Sequence, residues 1–67
     1  MSYNLNDKVT IIKRCTNFGG KEIDVNEEAT IIEVFGFNHR YTIISDKGVN
    51  IIGISSKYFK HKNYDRY

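Results

Sequence analysis

Apolar positions along this chain come in short bursts, and between the bursts stand residues that turn a backbone. Val9-Thr10-Ile11-Ile12-Lys13 alternates with a period of two, which puts Val9 and Ile11 on one face of a strand and Thr10 and Ile12 on the other. Ala29 to Phe35 reads as a second strand, Tyr41 to Ser45 as a third and Val49 to Ile54 as a fourth. Perfect alternation in the second would bury Glu33 beside Ile31, which is costly for a carboxylate. A bulge after Ile31 solves this, with Ile31 and Val34 pointing inward and Glu33 outward. Gly36-Phe37-Asn38 and Asp46-Lys47-Gly48 supply the later turns, because Gly and Asn tolerate positive φ. Gly53 marks a bend or a close backbone approach.

The ends of this pattern differ from its middle. Cys15 to Glu28, with Asn17-Phe18-Gly19-Gly20 inside it, is too long for a tight turn and reads as a wandering surface loop. Ser55-Ser56-Lys57-Tyr58 fits one helical turn, and Phe59 to Lys62 adds a short fifth strand. No ten-residue window has the i, i+3, i+4 apolar spacing of a helix. The expectation is therefore an all-β domain: a five-stranded, SH3-like, partly open antiparallel barrel with one short 3-10 turn before the last strand. It occupies residues 1–67 as a single domain, with its core at about 7–62 and a polar tail at 63–67. The expected core is Val9, Ile11, Ile31, Val34, Tyr41, Ile43, Val49, Ile54 and Phe59.

Composition narrows the class. Sixty-seven residues with ten isoleucines, no proline and no tryptophan favour strands over disorder. A domain this small buries only about 60% of the surface its unfolded chain exposes, so its stability is slender. Cys15 is the single cysteine, so no internal disulfide forms, which suits a reducing, cytoplasmic setting. The start of the chain is polar with no apolar run behind it, and apolar runs reach only two or three residues, so no membrane insertion is expected.

Charge is unevenly placed. Residues 1–21 hold Lys8, Lys13, Arg14 and Lys21 against Asp7. Residues 22–33 hold Glu22, Asp24, Glu27, Glu28 and Glu33 with no base. Six bases against Asp46 and Asp65 follow in residues 34–67. Such polarity orients a molecule toward a charged partner.

The whole pattern resembles the SH3-like barrels, and among them the photosystem I reaction-centre subunit IV type. The residues that carry the resemblance are Asp7 to Ile11, Glu28 to Val34, Tyr41 to Ile44, and Asp46, Lys47, Val49, Asn50, Gly53, Ile54 and Phe59 toward the end. It spans roughly residues 7–60 and implies the barrel fold. That family has an arginine on its third strand, associated with docking an acidic electron carrier. Ile44-Ser45 stands at the matching place here, so the fold is taken over and the photosynthetic role is not.

Candidate chemistry is sparse. His39 and His61 stand 22 positions apart, and with one cysteine they give no metal-ligand spacing and no nucleophile-base-orienter set. Glu27 and Glu28 are adjacent and would face opposite sides of a strand. The expectation is a non-enzymatic domain with no cofactor. Exposed aromatics beside cations are typical interface anchors, which points to Phe18, Phe37, His39, Arg40, Lys57, Tyr58, Lys60 and Lys62 as partner-binding residues. The partner expected is a larger protein or complex, with the chain as its accessory subunit, adaptor or inhibitor. Bases interleaved with aromatics also admit a nucleic-acid partner, against which the acidic middle segment speaks. The Ile51-Ile52 edge admits pairing with a second copy.

Overall fold

The computed structural model describes residues 3–36 and 39–62. Seven strands form in chain order: β1 (Lys8–Ile11), β2 (Cys15–Thr16), β3 (Glu22–Ile23), β4 (Glu28–Val34), β5 (Arg40–Ser45), β6 (Asn50–Ser55) and β7 (Phe59–His61), with a 3-10 turn at Ser56–Tyr58 before the last. Five of them make one antiparallel sheet in the order β6-β5-β4-β1-β7, curled into a half-barrel. This is the small all-β barrel expected, partly open, with its short turn where the sequence placed it. The expected strand ends move by one or two residues.

Further backbone hydrogen bonds extend the pairing beyond the strand ends. Ile12 N–H and Lys13 N–H both donate to the Tyr58 carbonyl, at 2.8 and 3.2 Å, tying the end of β1 to the 3-10 turn. Ser55 Oγ accepts from Lys57 N–H at 3.2 Å and caps that turn. Ahead of β1, Asn6 N–H donates to the Ile31 carbonyl and Ile31 N–H to that of Asp7, at 2.8 and 2.9 Å.

Alternation builds the core as the period-two pattern requires. Val9 and Ile11 from β1, Ala29 and Ile31 from β4, Tyr41 and Ile43 from β5, Ile54 from β6 and Phe59 from β7 are buried together. Val49 packs against them half-buried. The expected core lacks Tyr3, Cys15, Ile23, Ala29 and Ile51, all buried in the same cluster. Tyr3 lies edge-on to Tyr41 and Phe59, with ring centres 5.4 and 5.0 Å away, and stacks on His61 at 4.3 Å.

Three expectations are corrected. The bulge does fall after Ile31, but Val34 stays 44% exposed. It pairs with Tyr41 at the end of β4, where the Tyr41 ring, packed on Tyr3 and Phe59, already fills the barrel. The stretch from Cys15 to Glu28 is not all loop, because β2 and β3 pair as a small hairpin that buries Cys15 and Ile23. Ile51 faces the core, so only Ile52 of that pair projects from the edge strand.

Candidate functional site

The β2–β3 hairpin stands beside β6, and the space between them is an open groove of about 480 Å³. Local chemistry explains the hairpin. Asn17 N–H donates to the Lys21 carbonyl at 2.8 Å, Asn17 Oδ1 accepts from Lys21 N–H at 2.9 Å, and Gly20 takes φ +83° at the tip. The Asn17 amide then reaches across: its Nδ2 donates to the Asn50 carbonyl at 2.9 Å, pinning the hairpin to the start of β6. Phe18, held at the tip, is fully exposed.

Arg14, Asn17 and Phe18 form the hairpin wall of the groove. The other wall is Ile52, Gly53 and Ser55 of β6, with Tyr58 from the 3-10 turn and Arg40 from β5. Cys15, Ile51 and Ile54, buried in the core, lie beneath. Past Phe18 and Ile52 the surface dips again, into a hollow of about 190 Å³ with Asn17, Gly19 and Asn50 around it. Ile52, 62% exposed, stands between the two depressions.

The electrostatics of the groove are one-sided. Two arginines line it and no carboxylate does. Arg40 Nη1 donates to the Gly53 carbonyl at 3.1 Å, which holds its guanidinium at the rim. Among the described residues neither Arg14 nor Arg40 forms an ion pair, whereas Lys8, Lys47 and Lys62 meet Asp46, Glu27 and Glu28 at 3.0, 4.0 and 3.0 Å.

Of the residues the sequence singled out for a partner, the fold brings Phe18, Arg40 and Tyr58 into this one groove. His39 sits exposed in the turn before β5 with φ +50°, next to Arg40 but outside the lining. Lys57 is exposed in the 3-10 turn beside Tyr58. Lys60 belongs to β7, paired with Thr10 of β1, and Lys62 follows it, bound to Glu28. Neither reaches the groove lining. Phe37 lies outside the described residues. Arg14, Asn17 and Ile52 are groove residues that the expected partner-binding set lacks. The signal for Asn17 was present in the Asn-Phe-Gly-Gly turn, once Cys15-Thr16 and Glu22-Ile23 are read as its strands.

Titratable groups do not converge here. Burial, and then the Glu27 charge, push the Cys15 thiol up, opposite to the activation a nucleophilic thiol needs. Its Sγ lies 3.9 Å from the Ile23 carbonyl. Among the described residues no group of three His, Cys, Asp or Glu side chains is placed to hold a metal ion, and no helix is long and apolar enough to cross a membrane. No family model, curated protein or solved structure matches the chain.

Proposed function

We propose that this chain is a non-enzymatic protein-binding module, an accessory subunit, adaptor or inhibitor whose groove receives a segment of a larger protein. The observation that supports the reading most is the convergence of Phe18, Arg40 and Tyr58, from three separate parts of the chain, on one open groove. An exposed aromatic anchor beside a positioned arginine is the kind of pair that dominates binding energy at interfaces. The single cysteine is free and buried, which agrees with a partner in a reducing, cytoplasmic compartment.

The test is capture from a nuclease-treated native lysate with the full chain, with Phe18→Ser and Tyr58→Ala as groove variants and Lys62→Ala as a variant outside it. The expected result is one protein in stoichiometric amount, lost with both groove variants and kept by Lys62→Ala. Material that disappears on nuclease treatment would overturn the reading.

A second reading has one observation in its favour. Two arginines that form no ion pair among the described residues line the groove together with two aromatic rings, an arrangement that also suits a single-stranded nucleic acid stacked on Phe18 and Tyr58. It predicts binding to generic oligonucleotides that falls steeply with salt.

A further inference from the structure

The groove has a chemistry more specific than a place for protein. Among the described residues its two arginines form no ion pair and no carboxylate lines it, whereas Lys8, Lys47 and Lys62 elsewhere are paired. Arg40 commits one Nη1 donor to the Gly53 carbonyl, and the remaining forked N–H donors of the two arginines are left for a carboxylate that arrives from outside. At the other end stand Phe18 and Ile52, both strongly exposed, around the smaller hollow. Ile52 offers no ring plane, so this end suits an apolar side chain better than a base. The exposed Glu22 and Asp24 on the far side of the hairpin would also repel an unbroken run of phosphates. A peptide meets neither objection, because it bears charge only where its acidic side chains fall. The groove runs beside β6, an edge strand paired only with β5, so a straight segment lies along it more readily than a helix.

We infer that the groove binds an extended acidic peptide segment, its carboxylates held by Arg14 and Arg40 and a large apolar side chain seated against Phe18 and Ile52. This inference rests on the protein-binding reading and adds the partner's chemistry to it.

The experiment uses the full chain and a fluorescent peptide of about eight residues, roughly 27 Å when extended. The peptide has an Asp-Glu block at one end and a Leu-Phe pair at the other, and binding is read by anisotropy. A second peptide replaces the acids with Asn and Gln, which tests the charge without altering the protein. The acidic peptide is expected to bind with a Kd that rises about tenfold or more on amide replacement, and again with Arg14→Ala and with added salt. Arg14 is exposed and forms no ion pair among the described residues, so its replacement leaves the fold intact, and Lys62→Ala leaves the Kd unchanged.

Equal binding of the amide peptide would overturn the inference while sparing the protein-binding reading. Absence of binding up to about 1 mM would do the same if groove-dependent capture of a protein persists. Tighter binding of an oligo(dT) of matching length would overturn both. Light scattering that shows a dimer abolished by Ile52→Asp would assign the groove to a second copy instead.

Discussion

Thr42 Oγ1 donates a hydrogen bond to Glu33 Oε1 at 2.9 Å, at the point where β5 faces an extra residue on each of its neighbours. Ile31 pairs with Ile43 and Glu33 with Thr42, which leaves Ile32 as the extra residue of β4. Tyr41 pairs with Ile54 and Ile43 with Ile51, so Ile52 and Gly53 of β6 both face Thr42. The two bulges bend the sheet around this residue and turn Ile52 outward to the groove. Thr42 is only 4% exposed, so its hydroxyl depends on Glu33 for a partner.

That pair is expected to act as a unit. Glu33→Ala leaves a buried hydroxyl unsatisfied and should cost about 1–3 kcal/mol, while Thr42→Val should cost about 1 kcal/mol, because the exposed carboxylate returns to water. The double variant should be less destabilised than the sum of the singles, by about 1 kcal/mol. Urea unfolding with unchanged m-values measures all three. Additive losses would show that the bond contributes nothing.

Gly53 makes the β6 bulge possible. It sits at φ +72°, where a side chain is strained although no atom lies within 4 Å of where its Cβ would be. Gly53→Ala should therefore cost about 1–2 kcal/mol through backbone strain alone, and Gly53→Asn less. In a domain of this size each kcal/mol lowers the melting temperature by about 4–8 °C, which calorimetry resolves.

The fold was legible because β1 and the first half of β4 alternate in burial, and the turn residues fall where the strands end. The expected bulge at Ile31 came from the cost of burying Glu33. Val34 was misread because pairing gives a residue's face but not how far the core extends beneath it. Tyr3 and Ile23 were missed because each stands outside a long alternating run and is buried by tertiary contacts alone. Of the site, Phe18, Arg40 and Tyr58 were visible as aromatic and basic residues, although Tyr58 is half-buried against the core. Their meeting in one groove depends on the hairpin folding back onto β6 through Asn17, which no local pattern encodes.

The same contrast predicts two stabilities. Ile31→Ala empties a fully buried site and should cost about 2–5 kcal/mol. The whole domain holds about 3–10 kcal/mol at ordinary stability per residue, so this variant should be partly unfolded at room temperature. Val34→Ala, on an exposed site, should stay within about 0.5 kcal/mol of the parent. Far-ultraviolet circular dichroism of both variants decides the assignment.

Cys15 makes stability depend on alkaline pH. Its folded pKa is raised above the ordinary value of 9.0, by burial first and by Glu27 second. The stability this represents is whole below pH 9 and is lost as pH climbs from there through the folded value, because the unfolded chain ionises first. Tyr3, raised by burial, then by Tyr41 and Asp7, adds a second loss above its ordinary value of 10.0. Cys15→Ala should remove the first loss and keep the second. Denaturant midpoints followed from pH 7 to pH 11 test it, and a parallel decline in both proteins would exclude the thiol as the cause.

Asn17 joins the fold to the groove, and its two side-chain bonds are separable. Oδ1 holds the hairpin turn through Lys21 N–H, and Nδ2 holds the hairpin to β6 through the Asn50 carbonyl. Asn17→Asp keeps an acceptor for the turn but loses the donor and places a carboxylate at the groove wall. Asn17→Ala loses both bonds, each worth about 1 kcal/mol net. Hydrogen exchange should therefore rise in residues 15–23 in both variants, and further in the alanine one, with the β4–β5 ladder still protected. The aspartate variant should also weaken an acidic peptide about tenfold, through a like charge next to Arg14, while alanine weakens it only by loosening the wall. Equal exchange in both variants would mean that the cross-link to Asn50 alone holds the hairpin in place.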